Sequence, residues 1–253
     1  MHRHHQQGRR TRLDNLLVEL GLVPSRARAQ DCIRRGLVDV AGVTERRPGA
    51  RVGANASVRL SQAVTNHVSR GALKLISALE HFRFPISGVV ALDVGASTGG
   101  FTQVLLERGA ARVYAVDVGH DQLHARLAAD ARVVVLEGCD ARSLGRALVP
   151  EPIGALVADV SFISLTKALP MPLTLAGSGA WLVALIKPQF EAGRAAVGKG
   201  GIVRDPMARR RAVDLVRKWL AGQPGWRVQE VIPSPIGGGS GNEEFLLGAV
   251  RDD

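Results

Sequence analysis

Only two cysteines, Cys32 and Cys139, occur in 253 residues, and they stand far apart. That is too few for a disulfide framework or a cysteine-based zinc site, and it suits a reducing compartment. No apolar run approaches the ~20 residues that a membrane-spanning helix needs. The opening MHRHHQQGRR lacks the apolar stretch of a secretory leader. Its histidines have no spaced carboxylate or cysteine beside them, so residues 1–9 read as a disordered basic arm and not as a metal site. These absences point to a cytoplasmic protein with no membrane association and no metal. Internal repeats and low-complexity tracts are also missing. The first 60 residues contain no lysine at all.

What those 60 residues contain instead is arginine. Twelve arginines against five acidic residues place a net charge of +7 there, out of +10 for the chain. The guanidinium forms forked hydrogen bonds to phosphate oxygens, so clustered arginine is the electrostatic footprint of nucleic-acid binding. Arg12, Arg26, Arg28, Arg34 and Arg35 are the candidate RNA contacts. The segment also has folded patterning. Apolar residues recur at helical spacing from Leu13 to Val18, and Gly21 stops that helix; a second runs from about Arg26 to Gly36. A short strand at residues 37–40, a turn at Ala41-Gly42, and strand and loop over 51–60 follow. Two helices followed by short strands, with SRARAQDCIRRGLVDVAG at the joint, resemble the small α+β RNA-binding domain shared by a ribosomal small-subunit protein and many pseudouridine synthases. The resemblance covers residues 10–60. A helical hairpin used for dimerisation is the alternative. Residues 61–67, SQAVTNH, lack amphipathic order and read as a linker, and a helix over 68–82 opens the second domain, residues 68–253.

The most informative stretch is residues 89–102, VVALDVGASTGGFT. Its apolar start reads as a strand buried on both faces. Asp93 closes the run. Gly95, Gly99 and Gly100 allow a tight turn and a close backbone approach to a ligand, and Ser97 or Thr98 is placed to cap the following helix. The dinucleotide fingerprint is G-x-G-x-x-G; here the spacing is Gly95-x-x-x-Gly99-Gly100, with a carboxylate two residues before the first glycine. A negative charge there repels pyrophosphate and suits a cationic ligand, which S-adenosylmethionine is. A second strand ends in Asp117, 24 residues after Asp93 and about where a ribose-binding acid falls; a third ends near Asp140, which is placed to address the adenine. The expected fold is α/β: a Rossmann-like S-adenosylmethionine-dependent methyltransferase domain behind the small domain. A nicotinamide enzyme and a glycine turn without ligand are the competing readings.

Two further buried strands end in Asp159 (ADVSFISL) and Lys187 (LIKPQFE). In an open parallel sheet, ligands bind beyond the carboxyl ends of the strands, so Asp93, Asp117, Asp140, Asp159 and Lys187 are expected along one rim. The Gly-rich stretches 198–201 and 237–241 read as mobile loops beside the site, each followed by sheet-like sequence. VSRGALKL, LDVGASTGGFT, ADVSFISL, IKPQFE, GGIVRDP and SGNEEFLL, in this order behind an RNA-binding module, resemble the TlyA family of ribosomal RNA 2′-O-methyltransferases, historically labelled hemolysins, whose catalytic domain is FtsJ-like. The resemblance implies a Lys-Asp-Lys-Glu tetrad at Lys74, Asp159, Lys187 and Glu244, with Glu243 adjacent to the last. It also implies S-adenosylmethionine as cofactor and cytidine 2′-hydroxyls of ribosomal RNA, on ribosomal subunits, as substrate. His67 stands where the family has an aromatic residue.

The chemistry fits those residue types. A ribose hydroxyl is a poor nucleophile and must lose its proton as it attacks. Two ammonium groups stabilise the developing alkoxide, one amine takes the proton, and two carboxylates hold the amines in place, with no metal or covalent intermediate required. Base-amino methylation calls for an [N/D]-P-P-[Y/F] tetrapeptide, which DVSF is not, and carbon-five methylation calls for a Pro-Cys nucleophile, which is absent. A non-catalytic RNA-binding or ribosome-assembly factor and a cytolysin are the rival function classes.

Overall fold

The computed structural model describes residues 10–23, 25–34, 36–60, 67–238 and 241–252. The basic arm (1–9), Arg35, linker residues 61–66 and part of the 237–241 stretch lie outside the described residues. The chain divides into two compact units between His67 and Val68.

In the first unit, β1 (Arg10–Arg12) pairs antiparallel with β4 (Arg51–Gly53). Helices α1 (Leu13–Glu19) and α2 (Arg26–Arg34) are followed by a three-stranded sheet in the order β3 (Val43–Thr44), β2 (Val38–Val40), β5 (Val58–Leu60). Leu13, Leu17, Val23, Ala29, Cys32, Ile33 and Val38 form its core. One charged group sits at the edge of this core. Asp14 is fully buried and accepts from Arg12 Nε (3.0 Å) and Nη2 (2.9 Å), Arg26 Nε (3.1 Å) and Gln30 Nε2 (2.9 Å). Two arginines expected to face phosphates are therefore oriented from behind by one carboxylate.

The second unit is a seven-stranded sheet with helices on both faces. Its strand order is β11 (Trp226–Pro233), β12 (Phe245–Arg251), β10 (Ala176–Ile186), β9 (Ile153–Ala158), β6 (Val90–Val94), β7 (Arg112–Asp117), β8 (Val133–Glu137). The five strands from β10 to β8 are parallel, and β12 runs antiparallel between β10 and β11. Successive residues on the central strands go to opposite faces. Leu92, Val94, Leu156 and Ala158 join one core, while Ala91, Ala155 and Val157 join the other. A sheet covered on both faces explains why these strands read as continuous apolar runs.

Helices α3 (Gly71–Phe82) and α4 (Gly100–Glu107) pack on one face. There Phe82, Phe84 and Trp181 stack in series, with ring centroids 5.4 and 5.1 Å apart. Short helices α5 (Ala125–Ala128), α6 (Leu165–Ala168), α7 (Pro170–Leu175) and α8 (Pro188–Glu191) and the long α9 (Pro206–Ala221) complete the unit. Two sequence expectations change here. Gly99, at φ +94°, is the N-cap residue of α4, and no side chain caps that helix, so neither Ser97 nor Thr98 does. After residues 198–201 comes a single bridge, Gly198 to Ile202, and then α9 rather than sheet, because Asp205-Pro206 forms a helix start: Asp205 accepts from Met207 N and proline occupies the first turn.

Asp14 makes a pH-dependent contribution whose sign follows from its surroundings. The Arg12 guanidinium holds its carboxyl well below the usual carboxylate range, against the opposing effect of burial. The contribution is therefore complete above the unfolded-state value of about 3.9 and is lost as pH falls through the folded value. Asp14→Ala should cost this unit about 1–3 kcal/mol near neutral pH. Amide hydrogen exchange of residues 13–34 measures the loss, and unchanged protection in the variant would refute it.

Candidate active site

Three neighbouring strand ends meet at one edge of the sheet. Asp159 follows the last residue of β9, Lys187 follows the last residue of β10, and Glu244 precedes the first residue of β12. Because β12 is antiparallel, its start lies at the carboxyl edge of the parallel strands, where Ile186 pairs with Phe245. Helix α3 brings Lys74 to the same point. The result is a chain of ion pairs. Lys74 Nζ lies 2.6 Å from Glu244 Oε2 and 3.7 Å from Asp159 Oδ2, and Lys187 Nζ lies 2.6 Å from Asp159 Oδ1. Lys187 Nζ also donates to Ser161 Oγ at 2.8 Å. Both lysines and Glu244 are buried. Glu243 points elsewhere, to Arg209 Nη1 at 2.5 Å, and is largely exposed.

Beside this chain a cleft of about 740 Å³ opens over the ends of β6, β7 and β9, bordered by Gly95, Ser97, Asp117, Gly119, Asp140 and Asp159, among others. This is the switch point of the sheet, where the chain leaves β6 toward β7 on one side and β9 lies on the other. Asp117 accepts the backbone N–H groups of Ser97 and Gly119, both at 2.8 Å, which ties the glycine turn to the end of β7. Asp140 is held in a two-toothed pair by Arg142, whose hydrogen bonds keep its carboxyl below the usual range.

The glycines of the turn also lie close to other protein atoms. A Cβ on Gly95 would lie 2.8 Å from Asp159 O, one on Gly99 would lie 2.3 Å from Leu127 Cδ1, and one on Gly100 would lie 2.1 Å from Ser69 Oγ and 3.0 Å from Ala72 N. A side chain at Gly99 or Gly100 would meet protein atoms, and neither glycine borders the cleft.

Asp93 likewise lies beneath the rim. It is fully buried, accepts from Thr102 Oγ1 at 2.7 Å, and leaves Oδ1 without a hydrogen-bond partner. Burial pushes its carboxyl up to about 7, opposed by the Thr102 bond and reinforced by the charge of Asp159.

Several residues that sequence reasoning did not assign support the site. Glu191 on α8 is buried, and burial raises its carboxyl. It accepts from Ser164 Oγ (2.5 Å) and Leu165 N (2.9 Å), pinning the ADVSFISL loop to the KPQFE helix. Asn242 accepts from Val203 N (3.0 Å) and donates to Gly201 O (2.8 Å), fixing the segment that carries Glu244. Glu137 accepts three backbone N–H groups, from Asp121, Gln122 and Leu123. Phe162 sits exposed on the cleft border at φ +67°, its ring 5.3 Å from that of Phe190. The quoted motifs contain Glu191, Asn242 and Phe162, but nothing in their spacing distinguishes them from neighbouring letters.

A doubly wound sheet with an antiparallel strand inserted next to its last strand, and a cleft at its switch point, is the arrangement of an S-adenosylmethionine-dependent methyltransferase fold. A structure from Listeria monocytogenes described as a methyltransferase of that type shares the fold at 12% identity and a TM-score of 0.52, over 73% of this chain and 100% of that one. The family model for FtsJ-like methyltransferases matches residues 67–251, and that for the S4 domain matches residues 11–58. The chain belongs to the FtsJ-like methyltransferase family and has an S4 RNA-binding domain at its N-terminal side. It is 46% identical to the 16S/23S rRNA (cytidine-2′-O)-methyltransferase TlyA of Mycobacterium tuberculosis, over 94% of this chain and 89% of that protein. A solved structure from Streptococcus thermophilus that carries a hemolysin label is 37% identical, with a TM-score of 0.74, over 96% of this chain and 89% of that one. Among the described residues, no helix is long and apolar enough to cross a membrane, and no group of three His, Cys, Asp or Glu side chains is arranged to hold a metal ion.

The Asp93 carboxyl makes the catalytic unit pH-sensitive. Its folded-state value of about 7 exceeds the unfolded value of about 3.9, so the folded unit holds the extra proton between those limits and loses stability as pH rises through them. The full span is on the order of 4 kcal/mol. Asp93→Asn removes the titration and keeps an acceptor for Thr102. Thermal melts across that pH window should be flatter for the variant, and parallel profiles would show that Asp93 does not titrate there.

Proposed function

We propose that this protein transfers a methyl group from S-adenosylmethionine to the 2′-hydroxyl of cytidine in ribosomal RNA, acting on ribosomal subunits in the cytoplasm. The observation that carries the reading is the buried chain Glu244–Lys74–Asp159–Lys187 at the border of the cleft. The name of the mycobacterial relative supports ribosomal RNA and cytidine, and the S4 domain supports an RNA partner.

The residues bordering the cleft suit a cationic cofactor. Asp117, Asp140 and Asp159 border it, with Arg142 paired to Asp140 and Lys167 as its cations, and the buried Asp93 beneath has an oxygen without a partner. Gly95 and Ser97 would hold the cofactor from the turn, with Asp117 and Asp140 toward its nucleoside part; Gly99 and Gly100 shape the turn by packing. S-adenosylmethionine supplies an electrophilic methyl group on a sulfonium and leaves as a neutral thioether.

The chain's own residues do the rest. Lys74 and Lys187 flank the position for the ribose oxygen and stabilise its negative charge as the proton departs. Each amine is held by a carboxylate, Lys74 by Glu244 and Lys187 by Asp159, so neither must reorganise when the hydroxyl arrives. One of the two enters the step as the neutral amine and accepts the hydroxyl proton as the new carbon–oxygen bond forms and the methyl–sulfur bond breaks; the other remains an ammonium and stabilises the oxygen. Asp159 touches both lysines and sets their separation.

Tritium transfer from labelled S-adenosylmethionine to separated ribosomal subunits, followed by nucleoside mapping, tests the reading. The expected product is 2′-O-methylcytidine; label on a base, or on no RNA, overturns it. Lys187→Ala should lower kcat by about 10²–10⁴-fold while RNA affinity holds. Adding Lys74→Ala should cost little more, as for residues that act as a unit. Additive losses, or near-normal turnover in either single variant, would remove the tetrad from the mechanism. A substrate with 2′-deoxyribose at the target nucleotide should accept no methyl group.

A further inference from the structure

The positive charge of the second unit is concentrated on one helix. Residues 61–253 contain 21 cationic and 18 acidic side chains, a net +3. Helix α9 alone carries Arg209, Arg210, Arg211, Arg217 and Lys218 against Asp214, a net +4, so everything else in that stretch sums to −1. Helix stability does not account for the arrangement. Three consecutive arginines fall within the first two turns, close to the end where the helix dipole disfavours cations, and the first turn contains no acidic residue. Asp205 offsets only part of this, reaching Arg211 at 3.4 Å. Burial does not account for it either, since Arg210, Arg211, Arg217 and Lys218 are all exposed.

Positions 209, 210, 213, 214 and 217 recur at helical spacing and form one wall of a groove of about 950 Å³ between α9 and the edge strand β11; Asp214 is the one acid on that wall, against Arg209, Arg210 and Arg217. The acidic groups on the other wall are engaged: Glu243 with Arg209 at 2.5 Å, and Glu230 with His81 at 2.8 Å. Arg210 and Arg217 make no ion pair among the described residues. They are seven residues apart, two turns or roughly 10 Å along one helix face, so a strand lying in the groove meets both. The groove reaches Glu243, whose chain neighbour Glu244 belongs to the buried ion chain.

We propose that the α9–β11 groove binds the sugar–phosphate backbone of the RNA strand being methylated, with Arg210 and Arg217 making the phosphate contacts. The proposal rests on the RNA-substrate reading above, and the experiment separates the two. Full-length wild type and Arg210→Ala/Arg217→Ala are compared for binding to isolated ribosomal subunits across a salt series, and for methyl transfer.

Loss of two phosphate contacts should flatten the slope of log affinity against log salt by about 1.4 to 1.8, and raise KM for subunits by roughly tenfold or more. At saturating subunits kcat should hold, as should calorimetric affinity for S-adenosylmethionine. Arg210→Lys/Arg217→Lys should keep the wild-type slope, because the charge remains. If the alanine variant loses its circular-dichroism signature, Arg210→Gln/Arg217→Gln replaces it. An unchanged slope and affinity in a folded variant overturns the proposal and assigns the helix's charge to some other partner. A fall in kcat with an unchanged slope also overturns it. If wild type methylates no RNA yet the variant's slope flattens, the proposed reaction fails and the groove stands.

Discussion

A carboxylate held between two lysine side chains is the contact on which the second unit's site depends. Asp159 reaches Lys187 at 2.6 Å and Lys74 at 3.7 Å, and Glu244 neutralises Lys74 from the far side. Burying charges is costly unless partners surround them, and removing one member leaves the others exposed to that cost. The alternation of sign along Glu244, Lys74, Asp159 and Lys187 is what allows all four to sit at the edge of an apolar core. It also fixes neighbouring backbone: β9, β10 and β12 must end in register, and α3 must cross at the height of that edge. Gly95 belongs to the same constraint, because a side chain there would strike the Asp159 carbonyl.

The glycine turn after β6 serves packing first. Gly100 allows Ser69 and the start of α3 to lie against α4, which carries Lys74 toward the strand ends. Beside it opens a cleft bordered by Asp117, Asp140 and Asp159 as well as Arg142 and Lys167, above a buried aspartate whose second oxygen has no partner. One set of glycines thus shapes the turn and positions a lysine.

Positive charge is segregated. It is dense in the S4 domain, where Asp14 orients Arg12 and Arg26 from within the core, and dense again on α9; elsewhere the chain is close to neutral. Arginines anchored through one face by a carboxylate are preorganised, with less side-chain freedom left to lose. Lys187 and Lys74, in contrast, are buried and paired, away from the bulk surface.

The fold class, the methyltransferase family and the RNA-binding module were legible in the sequence because each depends on local pattern: apolar runs closed by acids, a glycine turn of distinctive spacing, arginine without lysine, and motifs in a fixed order. Residue type and chain order carry that information. Tertiary structure decided what depends on distance between segments far apart in sequence. It separated Glu244 from Glu243 by aiming one at Lys74 and the other at Arg209, 170 and 34 positions away. It placed Asp93 under the cleft instead of on its rim, and filled the space beside Gly99 and Gly100 with leucine and serine side chains. It also brought Glu191 to Ser164 and Asn242 to Val203, contacts no periodicity announces. Periodicity specifies which face of an element is apolar; which polar groups meet across elements is set by the antiparallel insertion of β12 and the crossing of α3, and those exist only once the sheet has closed.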